Sequence, residues 1–169
     1  MTLRISEARW PDDRADVEAL FREYVASLAE DISFQNVSDE LAGLPGKYAR
    51  PTGMVLIARD GAQAAGAVAY RMVEPGVCEM KRLYVRPGFR GHNIGRALAR
   101  KLISDACEIG YRCMRLDTVP GKMDHAISLY RELGFKEMTP YYNSPVEKTL
   151  FMELMLPAHS VTIPKAVGQ

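Results

Sequence analysis

The stretch richest in chemistry is Arg90-Gly91-His92-Asn93-Ile94-Gly95-Arg96, which lies where an extended run gives way to a helical pattern. The first turn of a helix leaves about four N–H groups unpaired and carries roughly half a positive charge, so it can seat a phosphate. Gly91 and Gly95 let an anion approach the backbone closely, while Arg90 and Arg96 add charge beside it, and a pyrophosphate fits. Spacing alone leaves a plain turn equally open. The Gly-x-Gly-x-x-Gly fingerprint of dinucleotide sites does not occur. Cys78, Cys107 and Cys113 are odd in number with no Cys-x-x-Cys spacing, and His92, His125 and His159 stand far apart, so neither a disulfide framework nor a bound metal is expected.

Around that loop the pattern is mixed. Residues 3–10 read as a strand, and Val17, Leu20, Phe21, Tyr24, Val25 and Leu28 then recur at helical spacing. Ser38-Asp39-Glu40-Leu41 opens a short second helix stopped by Gly43 and Pro45. Apolar runs at 54–58 and 64–72, separated by Arg59-Asp60-Gly61, form a hairpin, and 77–85 is a third extended run. A long helix carries Ile94, Ala97, Leu98, Leu102 and Ile103; a strand at 113–119, a helix through Ile127, Tyr130 and Leu133, and strands at 135–141 and 149–156 complete the order. The class is α/β, with an antiparallel front half and one βαβ-like crossover.

Composition bounds the partners. A chain of 169 residues matches one domain of about 150 residues, here 1–157, followed by a tail at 158–169. With 22 Lys plus Arg against 21 Asp plus Glu, the +1 balance gives no reason to expect nucleic acid or a polybasic membrane contact. The first ten residues have no apolar h-region, and nowhere do roughly eighteen apolar residues run together, so neither export nor a membrane span is expected. Unpaired thiols then point to the cytoplasm, and the composition to a monomer or a simple homodimer.

The 90–96 run resembles motif A of the GNAT family of N-acetyltransferases, whose Arg/Gln-x-x-Gly-x-Gly/Ala loop holds the pyrophosphate of acetyl-CoA. Arg90 to Gly95 occupy that motif in order, with Asn93 where the family usually has glycine. Leu129-Tyr130-Arg131-Glu132-Leu133-Gly134-Phe135 resembles the end of motif B, although many members carry Asn where Met123 stands. The likeness runs from about Leu3 to Leu156. It implies a mixed, mostly antiparallel central sheet flanked by about four helices, which splays after the strand ending at Val85. The pantetheine arm would lie in the resulting V, with Leu83, Tyr84 and Val85 against the arm and Arg90, Gly91, His92, Asn93, Ile94, Gly95 and Arg96 at the phosphates.

The implied activity is attack by the primary amine of a small molecule on the thioester of acetyl-CoA, with no metal. An alkyl ammonium, pKa about 10.4, needs a base or a desolvating pocket at pH 7. Glu79 is the candidate base, acting through water; unless a bulge intervenes, period-2 alternation puts it on one face with Lys81, Leu83 and Val85. A salt-bridged strand residue beside Lys81 and Arg82 is the alternative. Tyr130 occupies the position whose phenol protonates the coenzyme thiolate; by spacing alone it is a core tyrosine. Asp117, Glu108 and Asp124 are expected to be ordinary charges. The acceptor pocket of the family falls here on Phe34, Gln35, Lys47, Tyr48, Tyr141, Tyr142 and Asn143, and Lys47, Arg71 or Lys81 could hold a carboxylate, which favours an amino acid or similar amine. A non-catalytic acyl-CoA-binding module, a protein or peptide amine as acceptor, and a ligand-free interaction domain are the competing readings.

Overall fold

The computed structural model describes residues 1–28, 32, 35–120 and 124–158. Phe34, Met123 and the tail from 159 onward lie outside the described residues. In chain order the elements are β1 (Leu3–Glu7), α1 (Arg14–Ser27), α2 (Val37–Ala42), β2 (Met54–Asp60), β3 (Gln63–Glu74), β4 (Val77–Val85), α3 (Ile94–Glu108), β5 (Cys113–Thr118), α4 (Asp124–Glu132), β6 (Lys136–Met138) and β7 (Leu150–Met155). The strands form one 7-stranded sheet in the order β1-β2-β3-β4-β5-β7-β6. Every pairing is antiparallel except that of β4 with β5. This is the expected mixed, mostly antiparallel α/β sheet flanked by helices.

Both faces of the central strands are covered, which is why β2 and β3 read as nearly continuous apolar runs. Met54, Leu56, Val68 and Tyr70 pack into the layer of α3, with Leu98 and Leu102. Val55, Ile57, Ala67 and Ala69 face the other layer, where α1 supplies Val17, Leu20 and Phe21 and α2 supplies Leu41. No helix among the described residues is long and apolar enough to cross a membrane. The strand expected at 135–141 is cut to Lys136–Met138, because Pro140 has no N–H for a ladder; Tyr141 and Tyr142 therefore belong to the loop before β7.

Two irregularities of β4 shape everything near the site. Its pairing with β5 holds only for Val77↔Cys113, Cys78↔Met114 and Glu79↔Arg115. Beyond Glu79, β4 stays with β3 while β5 stays with β7, so the sheet parts after the third residue of β4 rather than at its end. Where it parts, Ala69↔Lys81 is followed by Ala67↔Tyr84, a two-residue step on β3 against a three-residue step on β4. This is a β-bulge, and Arg82 sits in it with a left-handed φ of 62°. Opposite, a Cβ on Gly66 would lie 2.6 Å from the Tyr84 carbonyl oxygen, so the close approach there requires glycine.

The bulge overturns the expected alternation. Leu83 and Val85 turn to the α3 layer, whereas Tyr84 packs in the α1–α2 layer. Lys81 and Arg82 also reach that second side, both donating to Gln35 Oε1, at 3.2 and 2.8 Å.

Arg82 is anchored on α2. Its Nε lies 3.0 Å from Glu40 Oε2, and the two side chains are 2% and 4% exposed. Burial by itself would raise the Glu40 carboxyl, but the hydrogen bond and charge of Arg82, with Tyr48 and Lys47, outweigh it and hold its pKa below the usual carboxylate value. A depressed pKa contributes stability above the unfolded value of about 4.3 that is lost as the pH falls through the lower folded value. Glu40→Gln should therefore flatten the loss of stability below about pH 4.3 seen in urea unfolding of the parent. Arg82→Met should cost about 3 kcal/mol at pH 7, the low end for breaking a buried pair, because Lys47, 3.1 Å from Glu40, still offsets its charge.

Candidate active site

The 90–96 loop is built as a row of unpaired donors. Gly91 and Asn93 have φ of 86° and 58°, so Asn93 adopts the left-handed backbone that a glycine takes freely. Among the described residues, neither a backbone nor a side-chain acceptor takes the amides of residues 91–96, and no side chain caps α3. Arg90 folds back on β4, its Nε donating to the Val85 carbonyl at 2.9 Å and its guanidinium 5.8 Å from the Tyr84 ring. Arg96 is engaged differently from expectation: its Nη2 lies 2.5 Å from Glu132, clasping the start of α3 to the end of α4. Ile94 buries its side chain in the core and His92 is exposed, so in this loop the backbone offers more donors than the side chains.

Between the parted strands lies a cavity of about 650 Å³. Leu83, Tyr84, Val85, Arg90 and Gly91 line one arm, Asp117, Thr118 and Val119 the other, with Tyr24 of α1 and His125 and Ala126 of α4 at its sides. Deeper in, a polar cavity of about 30 Å³ is bounded by Tyr24, Gln35, Lys81, Arg82, Leu83, Asp117 and Tyr130. Tyr130 is placed by the end of α4. Gly134, at φ 101°, lets the Phe135 amide return to the Tyr130 carbonyl at 2.9 Å, and the Phe135 ring packs edge-on at 5.7 Å. Burial, then the charges near Tyr24 and Asp117, push the Tyr130 phenol well up, so it stays protonated at working pH.

Beside this cavity two consecutive tyrosines reach the two arms. Tyr141 and Tyr142 pack on Phe151 at 5.1 and 5.0 Å. Tyr141 donates to Glu79 Oε2 on β4 and Tyr142 to Asp117 Oδ2 on β5, each at 2.6 Å. Arg71 donates to Glu79 Oε1 at 3.0 Å, and Lys81 Nζ stands 3.8 Å from Glu79 and 3.9 Å from Asp117. Burial draws the Lys81 pKa down, with Glu79 and Asp117 pulling the other way. Burial, then Glu79, pushes the Tyr141 phenol far up.

Of the residues expected at the acceptor, Arg71, Lys81, Tyr141 and Tyr142 thus gather around Glu79. Lys47 stands apart on Glu40. Spacing does not single out Tyr24, Arg82 or Asp117 for the site. Asp117 follows Arg115 at period 2 in a half-polar strand, a signal that places it on the side of the sheet opposite Met114 and Leu116 but not at a cavity. Arg82 gives no signal, because a bulge has no sequence pattern of its own.

The profile of the Acetyltransferase (GNAT) family matches residues 9–135. The chain belongs to the GNAT acetyltransferase family. An uncharacterised N-acetyltransferase of Schizosaccharomyces pombe is 42% identical over 154 residues, covering 90% of this chain and 94% of its relative. A Klebsiella pneumoniae structure described as an acyl-CoA N-acyltransferase superposes with a TM-score of 0.71 at 27% identity, covering 92% of this chain and 98% of that one. The fold is shared as well by a Salmonella typhimurium acetyltransferase solved with acetyl-CoA, with a TM-score of 0.69 at 20% identity over 95% of this chain and 98% of the other. This acetyltransferase shares its fold with both of those structures over more than nine-tenths of its length.

Proposed function

We propose that this acetyltransferase moves the acetyl group of acetyl-CoA to the primary amine of a small molecule that also carries an anionic group. The observation that carries the reading is the cavity in the parted sheet, lined by Arg90, Gly91 and Asp117, beside a small polar cavity that Asp117 shares with Lys81 and Tyr130. Acetyl-CoA, when bound, supplies the activated acetyl group. The amides of residues 91–96 and Arg90 would hold its pyrophosphate at the positive end of α3. Strand-edge amides near Leu83 and Val85, set free where β4 leaves β5, would pair with the amide groups of the arm.

The acceptor side supports a small anionic amine over a peptide. Arg71 and Lys81 bring positive charge together there, and Tyr141 and Tyr142 narrow the space beside them. Glu79 has both oxygens engaged, by Arg71 and by Tyr141, and borders neither cavity. We assign it the part of holding those two side chains toward the acceptor. Tyr130 stands ready to give its phenolic proton to the departing thiolate, since its hydroxyl has no hydrogen bond to a described residue and its ring reaches the deeper cavity. Three thiols with no disulfide between them suit a cytoplasmic setting.

A thermal-shift titration tests the coenzyme seat: a ligand at about 100 times its Kd stabilises the folded state by roughly 2.7 kcal/mol. Gly95→Asp should abolish the shift given by acetyl-CoA while the protein still folds, because a Cβ there meets only Val85 Cγ2 at 3.7 Å and the carboxylate repels the phosphates. Tyr130→Phe should leave that shift intact and lower single-turnover transfer ~10²- to 10⁴-fold; a wild-type rate would return Tyr130 to a packing role.

A further inference from the structure

Resting on the acetyl-transfer reading above, we propose that Asp117 is the carboxylate that meets the acceptor amine and takes its proton before attack. It borders both the large cavity between the strands and the small polar cavity that Tyr130 also lines, whereas Glu79, the other carboxylate of the cluster, borders neither. Its hydrogen bonding leaves one oxygen for a substrate. Oδ2 accepts from Tyr142 at 2.6 Å, which fixes the carboxylate plane, while the nearest cation to Oδ1, Lys81 Nζ, is 3.9 Å away and beyond hydrogen-bond reach. Glu79 has no such freedom, with one oxygen on Arg71 and the other on Tyr141.

The surroundings of Asp117 suit the task. Lys81 and Arg82 of β4, Tyr24 of α1, Tyr130 of α4 and Tyr142 of the loop before β7 face it, with His125 on the rim of the larger cavity and Tyr141 and Glu79 beyond Lys81. The phenols of Tyr24, Tyr130 and Tyr142 close the space around it and leave Oδ1 as the carboxylate oxygen that no hydrogen bond from a described residue engages.

The proton passes from the acceptor ammonium to Asp117 Oδ1 and frees the nitrogen lone pair. That pair forms the C–N bond at the acetyl carbonyl as the C–S bond breaks, and the sulfur leaves with the bonding electrons and takes the phenolic proton of Tyr130. A second proton from the attacking nitrogen restores Tyr130, and the first leaves Asp117 for solvent. One ammonium and one thioester thus yield one amide, one thiol and one free proton.

Asp117→Asn keeps an acceptor for Tyr142 and tests the assignment. We expect its stabilisation by acetyl-CoA to equal that of the parent, and its single-turnover rate at pH 7 to fall by about 10²-fold or more. The deficit should shrink as the pH rises toward the acceptor's own pKa, about 10 for an alkyl ammonium. Calorimetric titration of the coenzyme A complex should show weaker acceptor binding, by about tenfold, once the anion facing the ammonium is gone. Glu79→Gln should weaken acceptor binding and leave the shape of the pH profile unchanged. Tyr142→Phe keeps the ring packing and covers the case in which Asp117→Asn does not fold: its carboxylate loses a hydrogen bond to the charged form, so the acidic limb of the rate moves to higher pH. The proposal is overturned if Asp117→Asn stays within about threefold of the parent at pH 7, if its loss is the same at every pH from about 6 to 10, or if the limb of Tyr142→Phe does not move. A parent protein that neither binds acetyl-CoA nor acetylates any amine overturns the acetyl-transfer reading itself.

Discussion

The buried contact between Arg82 and Glu40 is the constraint on which the rest of the site depends. Left-handed backbone costs a non-glycine residue about 1–2 kcal/mol, so the bulge at Arg82 persists because its guanidinium is held on α2 by Glu40 and by Gln35. Burying such a pair gains little net stability, since desolvating both charges offsets most of their attraction. What it secures is register. Without the extra residue, Leu83 would share a face with Glu79 and Lys81; with it, Leu83 and Val85 stay in the α3 layer while the charged side chains gather under α1 and α2.

That division separates a stretch rich in backbone donors from a cluster of ionisable side chains. The end of β4 and the start of α3, the proposed coenzyme side, offer backbone amides, an electrostatic resource independent of pH. The proposed acceptor side gathers ionisable side chains from β3, β4, β5 and the loop before β7. Lys81 stands between Glu79 and Asp117, at nearly equal distances from the two arms, so its charge balances both carboxylates where the strands separate. In a site this enclosed each charge is screened less than in water, and a tyrosine donates to each carboxylate, with Arg71 adding a second donor to Glu79.

The sequence by itself determined the order of elements and the 90–96 loop, because both are local. Hairpin chemistry at Asp60-Gly61, helical spacing in α1 and α3, and the glycine at 134 each act over a few residues, and the structure repeats them with small changes of boundary. The 90–96 run was likewise legible, since a helix start and its unpaired amides are properties of one segment. What only the tertiary structure decided is long-range: the bulge at Arg82, the opening of β4 from β5 after Glu79, and the clasp of Arg96 on Glu132. The reach of Tyr142 to Asp117 across the loop belongs with them, as does the pairing that leaves Glu79 with both oxygens engaged. Period-2 alternation describes a strand taken alone, whereas a bulge is set by what the neighbouring strand and helix demand of it, here a cation for Glu40.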